Sequence, residues 1–207
     1  MSQIFLTAAA NHVLSDLVTH LPSLPSEYKV AFIPTAAEVE EGELSWLKAD
    51  KDALISQGFD VEEFTITNLT PLEIEGKLAN KNLIFMTGGN TFYLLDQIIK
   101  TGFDEILKRK LNEGVVYIGS SAGSMVMGKR VDLVKTIDDA SKAPDLKSNG
   151  LEIVDCALLP HWGDTHFFKG YYLGFEAMYN EHLKMIPLSN SQYLWFNDGQ
   201  LNYIDVK

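Results

Sequence analysis

Short, nearly uninterrupted apolar runs recur along the chain and alternate with longer amphipathic stretches, and this alternation is the tightest constraint on its fold. "QIFLTAAA" (3–10) reads as a strand running into small residues, and "NHVLSDLVTHL" (11–21) as the helix that follows. "YKVAFIPTAA" (28–37) holds the next strand, ending at Pro34, and the acidic "EVEEGELSWLKADKDALISQG" (38–58) is predicted as one helix stopped by Gly58. "FDVEEFTI" gives a strand, "LTPLEIEGKLAN" a short helix and "KNLIFMTGG" (81–89) a buried strand. "NTFYLLDQIIKTG" and "GFDEILKRKLNEG" carry helical spacing before "VVYIGS" returns to strand. Strands apolar on both faces, separated by helices, imply a parallel sheet covered on both sides.

The expected fold class is therefore α/β, a three-layer, open, mostly parallel sheet. At 207 residues it should form one domain with a substantial core. From about residue 130 the pattern weakens: "VKTIDDASKAPDLKSNG" is polar and turn-rich, and "LEIVDCALLPHW" reads as a strand leading to a loop. "QYLWFNDGQLNYIDV" closes the chain as a hairpin with Asp198 and Gly199 in its turn.

Composition removes several function classes. A formal charge of −11, with only Arg109 and Arg130 as arginines, disfavours a grip on nucleic-acid phosphates or anionic lipid. No apolar run approaches the ~18 residues of a membrane span, and no signal peptide is visible. The single Cys156 forms no internal disulfide, which fits a reducing compartment and makes cytoplasmic the expected location.

Ligands of open parallel sheets gather at the C-terminal strand ends. Three such ends are chemically unusual here: "TGGNTF" (87–92), "GSSAGS" (119–124) and "LPHWGD" (159–164). Gly119-Ser120-Ser121-Ala122-Gly123 fits the G-x-S-x-G elbow, in which a serine sits on a strained strand-to-helix turn framed by glycines. Ser121 is then the candidate nucleophile and Ser120 a bystander. The Ala122 N–H and the N–H of Gly88 or Gly89 are candidate oxyanion donors, helped by the dipole of the helix after Ser121. Asn90 can cap the helix after the two glycines.

A serine hydroxyl needs a base, and His161, at a strand end, has the right chemistry. His12, His20 and His182 read as helical and His166 as part of the same loop. No metal is expected, because the spacing of His161 and His166 is not that of a ligand pair. No cofactor is expected either: the chain lacks a Walker pattern and G-x-G-x-x-G, so a flavodoxin-like cofactor binder is disfavoured.

"AFIPTAA", "GGNTF", "GSSAGS" and "LPHW", in this order over about residues 30–165, resemble the landmarks of the peptidase E family of aspartyl dipeptidase-like serine peptidases. The resemblance implies a class I glutamine amidotransferase-like (flavodoxin-like) fold and treats residues 1–207 as one peptidase E-like domain. It implies Ser121 as nucleophile, His161 as base, and N–H groups near Gly89 and Ala122 as oxyanion hole. The family's histidine is oriented by an acid, but at that place this chain reads "PLSNSQY", with Asn190. An amide can fix the imidazole tautomer but supplies no charge. Asp138 or Asp139 in "KTIDD", or the more remote Asp164, are the alternatives.

The family's arginine-bearing segment after the histidine is also altered: "FFKGYYLGFEAMYNEHL" carries Lys169, read as a solvated charge, and no arginine. Strict preference for an N-terminal Asp is therefore not expected. The leading expectation is a serine peptidase of short peptides or small amide substrates; the rival is a weak or inactive homologue that binds such a ligand. The aromatic loop of Trp162, Phe167 and Phe168 is read as core, with a homodimer left open.

Overall fold

The computed structural model describes residues 3–147, 149–178, 182–197 and 199–207. Its centre is a seven-stranded sheet in the order β3-β2-β4-β5-β1-β8-β9. These strands are β1 (Gln3–Thr7), β2 (Lys29–Ile33), β3 (Asp60–Glu63), β4 (Leu83–Met86), β5 (Val116–Ser120), β8 (Gln192–Asn197) and β9 (Gln200–Asp205). The first five run parallel, and β8 and β9 add an antiparallel hairpin beside β1. Gly199 lies in the hairpin turn with φ of 79°; Asp198, its expected partner there, lies outside the described residues.

The inner strands β1, β2, β4 and β5 are largely apolar because each of their faces meets helices, whereas the edge strands β3 and β9 are mostly polar and exposed. Phe5, Val30, Phe32, Leu83, Phe85, Val116 and Ile118 pack with Val13, Leu14, Leu17 and Leu54. Those four come from α1 (Ala10–Leu17) and α2 (Ser45–Ser56). The intervening residues Ile4, Leu6, Ala31, Ile33, Ile84, Met86 and Tyr117 face the other way, into a second core. Covering that side are α3 (Pro71–Leu78), α4 (Thr91–Thr101), α5 (Phe103–Asn112) and α6 (Ala122–Met125). The period-2 alternation of a strand puts every second side chain on one face, so both sets are buried. The fold is the expected three-layer α/β sheet.

Local signals fix the helix ends. Thr70 and Glu73 form a reciprocal capping box before α3, with Pro71 at its first position. The Asn90 side chain accepts the Tyr93 N–H to cap α4, and Gly102, at φ of 70°, ends it.

Four expectations change. The helix over 38–58 shrinks to α2: residues 35–39 form a 3₁₀ turn, Gly42 takes φ of 88°, and the Glu38 carboxylate accepts from Thr67 and from the Tyr93 hydroxyl. The helix over 11–21 ends at Leu17 and continues as a 3₁₀ turn through His20. The strand in "LEIVDCALLPHW" is only β6 (Ala157–Pro160), and it leaves the main sheet to pair in parallel with β7 (Met185–Leu188). The expected aromatic loop is the entry to a helix, α7 (Thr165–Met178), which carries His166, Phe167 and Phe168. Trp162 and Phe168 are exposed rather than core, at 41% and 63%. Among the described residues, no helix is long and apolar enough to cross a membrane.

One carboxyl sits deep between α1 and α2. Asp50 is 3% exposed and accepts the Asn11 N–H at 2.9 Å. Burial pushes its pKa up to about 6, against the opposing pull of the Asn11 N–H, the Ser120 hydroxyl and nearby His12. A raised carboxyl favours the folded state while protonated; that contribution is full below the ordinary 3.8 and is lost as pH rises through about 6. Asp50→Asn keeps the acceptor and removes the titration. Denaturant unfolding should therefore show the wild type losing up to about 3 kcal/mol relative to Asp50→Asn between about pH 4 and about pH 7. Parallel stability curves for the two proteins would contradict this.

Candidate active site

Strands β1, β4 and β5 deliver their C-terminal ends to one place, and β5 delivers Ser121. The Ser121 backbone takes φ of 48° and ψ of −108°, a region costly for a residue with a side chain. The surroundings enforce it. A Cβ at Gly119 would lie 2.7 Å from backbone atoms of Gly123 and Ser124, and one at Gly123 would lie 2.2 Å from the Met86 carbonyl oxygen. The two flanking glycines are thus required by close backbone approach.

Three hydrogen bonds tie the turn to β1. The Ser121 N–H donates to the Thr7 carbonyl at 3.0 Å, and the Ser124 hydroxyl donates to the same carbonyl at 2.7 Å while accepting the Thr7 N–H at 2.8 Å. Ser124 and Thr7 carry no sequence signal of this role, since their meeting depends on β1 lying beside β5. Ser120 proves to be structural: it is 3% exposed, and its hydroxyl accepts the Ala10 N–H at the start of α1.

The Gly88–Gly89 loop lies beside the serine. A Cβ at Gly88 would stand 3.3 Å from the Ser121 Cβ and 3.6 Å from the Trp46 ring, so that ring flanks the site. Gly89 has φ of 122° and packs against the turn at Ala36, where a Cβ would lie 2.3 Å from the carbonyl oxygen. The Asn90 N–H donates to that same carbonyl at 2.8 Å. Among the described residues, the N–H groups of Gly88, Gly89 and Ala122 meet no protein acceptor.

His161 arrives from the second sheet. β6 and β7 pair with Pro160 opposite Leu188; His161 is the residue after that pair on one strand and Asn190 is two residues after it on the other. Two short parallel strands therefore bring together residues 29 apart in sequence. His161 Nε2 lies 3.0 Å from Ser121 Oγ, and its Nδ1 lies 2.7 Å from Asn190 Oδ1. His161 has left-handed backbone geometry, at φ of 59°, and its ring stacks on Phe167 with centroids 4.4 Å apart. Burial lowers its pKa from the usual 6.5, opposed by the Asn190 contact and the charge of Asp164, with His12 and His166 adding to the lowering. A neutral ring near pH 7 is the form that can accept a proton.

The expected residues divide cleanly. Ser121, His161 and Asn190 form a connected chain, with Ala122 next to Ser121 at the elbow and Gly89 in the loop after β4. Asp138 is not in this chain: its carboxylate accepts the Thr91 N–H at the start of α4, at 2.9 Å. Nor is Asp139, whose carboxylate accepts the Ser141 N–H. Asp164 stands behind Asn190, whose side-chain nitrogen is 3.4 Å from it. Lys169 is exposed on α7, as expected of a solvated charge. Among the described residues, no group of three or more His, Cys, Asp or Glu side chains is arranged to hold a metal ion.

A serine on a glycine-framed elbow, with a histidine from the end of a strand of the second sheet beside it, is the kind of arrangement met in hydrolases with an α/β fold. The family is shown by comparison with known proteins: the chain belongs to peptidase family S51, whose model matches residues 2–204. It is 35% identical over 202 residues to an uncharacterized peptidase of Listeria monocytogenes serovar 1/2a, covering 97% of each chain. It is 29% identical over 201 residues to peptidase E of Actinobacillus pleuropneumoniae serotype 5b, covering 91% of this chain and 75% of that one. A crystal structure of a Listeria monocytogenes EGD-e protein assigned to peptidase E superposes with a TM-score of 0.91, at 31% identity over the whole of both chains. The chain is accordingly a serine-type peptidase.

The elbow geometry makes a direct prediction. Gly123→Ala should clash with the Met86 carbonyl and cost about 2–4 kcal/mol, read as a fall in thermal midpoint together with loss of activity. A variant with wild-type stability would show that the backbone approach is slack.

Proposed function

We propose that this peptidase hydrolyses short peptides by acyl transfer through Ser121. His161 takes the Ser121 proton at Nε2 as Oγ attacks the scissile carbonyl, while Asn190 Oδ1 accepts the Nδ1–H and holds the ring. The developing oxyanion rests on the N–H groups of Ala122 and Gly89, with Gly88 beside them. The protonated His161 then gives its proton to the leaving amine. Water, deprotonated by the same ring, releases the acyl group. The observation that carries this reading is the unbroken chain of contacts, 3.0 Å from Oγ to the imidazole and 2.7 Å onward to the amide.

Strict selection of an N-terminal Asp is not part of the proposal. Both arginines are already committed to carboxylates: Arg109 to Glu75 and Glu113, Arg130 to Asp132. Neither is left to grip a substrate carboxylate by a bidentate fork. Short peptides and small amides are the proposed substrate class, handled by one domain without cofactor, nucleic acid or membrane, in the cytoplasm. The amide at Asn190 favours a second reading, a slow homologue that binds such ligands and turns them over poorly.

The test is hydrolysis of a dipeptide panel by the purified protein, with Ser121→Ala and His161→Ala. Each variant should lose at least about 10³-fold in kcat/KM, and the double variant little more than either one. Because the His161 pKa is lowered and the neutral ring is the base, kcat/KM should rise with pH to a plateau, with its midpoint below 6.5. Activity surviving Ser121→Ala would overturn the assignment. Serine-directed fluorophosphonate labelling without measurable turnover would select the slow-homologue reading.

A further inference from the structure

Asn190 raises a problem that its position alone does not solve. The oxygen and nitrogen of a side-chain amide are close to equal in size, and the ring can meet either. With the oxygen toward His161, Nδ1 carries the proton and Nε2 offers its lone pair to Ser121. With the amide reversed, the NH₂ group donates to Nδ1, the proton moves to Nε2, and the ring can no longer accept from the serine. A carboxylate at this place would accept in either orientation; an amide must be held.

Asp164 is placed to hold it. The Asn190 side-chain nitrogen donates toward Asp164 Oδ2 at 3.4 Å, and a carboxylate can only accept. Asp164 is itself fixed from three sides. Its N–H donates to the His161 carbonyl at 3.0 Å, its Oδ1 accepts the His166 N–H at 2.9 Å, and its carbonyl accepts the Phe168 N–H at 3.0 Å. One carboxylate oxygen thus caps the first turn of α7 and the other meets the amide.

We propose that Asp164 is a positioning residue whose carboxylate fixes the Asn190 amide with its oxygen toward His161 and so selects the imidazole tautomer that can accept the Ser121 proton. It also sets a negative charge one residue behind the amide, in the direction from which the charge of a triad acid would act. The other titratable groups influencing His161 are His166, on the same turn of α7, and His12, from α1. The inference rests on the proposed roles of Ser121 and His161.

A simple helix cap is the competing account, because Asp is a favoured N-cap. Asp164→Asn separates the two. Asn caps about as well as Asp, but its single oxygen cannot serve both the His166 N–H and the Asn190 nitrogen. Asp164→Ser is the second variant: it also caps, and it is too short to reach the amide.

¹⁵N NMR of the His161 ring reads tautomer and pKa without any need for turnover. The wild type should show the Nδ1–H tautomer. Both variants should populate Nε2–H and titrate lower by about half a unit or more, since a neighbouring negative charge is gone. Thermal midpoints should stay within about 3 °C of the wild type. Fluorophosphonate labelling of Ser121 should slow by about tenfold or more, and adding Asn190→Asp to Asp164→Asn should restore it, because an acid then meets the ring directly.

An unchanged tautomer and pKa in Asp164→Asn would overturn the proposal. So would a loss that follows the melting temperature and is not rescued by Asn190→Asp. Absence of labelling in the wild type would strike the serine mechanism instead, and the NMR result would still decide the role of Asp164.

Discussion

The approach of Gly123 to the carbonyl of Met86 governs the rest of the site. With a Cβ position only 2.2 Å from that oxygen, the chain after β5 can pass β4 only as bare backbone. The turn that results puts Ser121 at φ of 48° and directs the chain into a helix at once. Ser124, three residues after Ser121, closes the turn onto Thr7 through both its donor and its acceptor. The bonds that pin β1 to β5 also hold Ser121, the proposed nucleophile, in a backbone conformation it would not adopt freely.

The second half of the machinery is built on a separate support. Neither β6 nor β7 joins the main sheet, and each pairs only with the other among the described strands. Their register sets how far His161 stands from Asn190, and the contacts of α7 then secure the histidine. Phe167 stacks on its ring, and the Tyr171 hydroxyl donates to the Pro160 carbonyl at 2.5 Å, just before it. His161 is thereby held by packing and by hydrogen bonds on both sides, and its lowered pKa favours the neutral ring that the proposed role as base requires.

Much of this was legible in the sequence where the cause is local. The inner strand runs are apolar on both faces because both faces are covered, and Gly119 in the frame of Ser121 records a steric demand within a few residues. The start of α2 was hidden, because what holds residues 38–44 out of a helix includes contacts to Thr67 and Tyr93. β7 was hidden for a related reason: "MIPL" is short, contains Pro187, and gains its meaning only from β6. The helix after Ser121 was expected to lend its dipole to the site, yet α6 is four residues long and contributes chiefly a free N–H at Ala122. Asn190 could be read as the departure from an acid and Asp164 as a remote alternative, but the place of that carboxylate behind the amide depends on a turn at 161–164 that no pattern announces.

The account turns on whether the elbow and the Gly88–Gly89 loop form a working oxyanion hole around Ser121. A crystal structure of the protein after reaction with a fluorophosphonate tests this most directly, because the phosphonyl group mimics the tetrahedral intermediate. The account predicts phosphorus bonded to Ser121 Oγ, with one phosphonyl oxygen within hydrogen-bond distance, about 2.7–3.1 Å, of the N–H groups of Ala122 and Gly89. A phosphonyl oxygen turned to solvent with both N–H groups unengaged, or an adduct on any other residue, would contradict it.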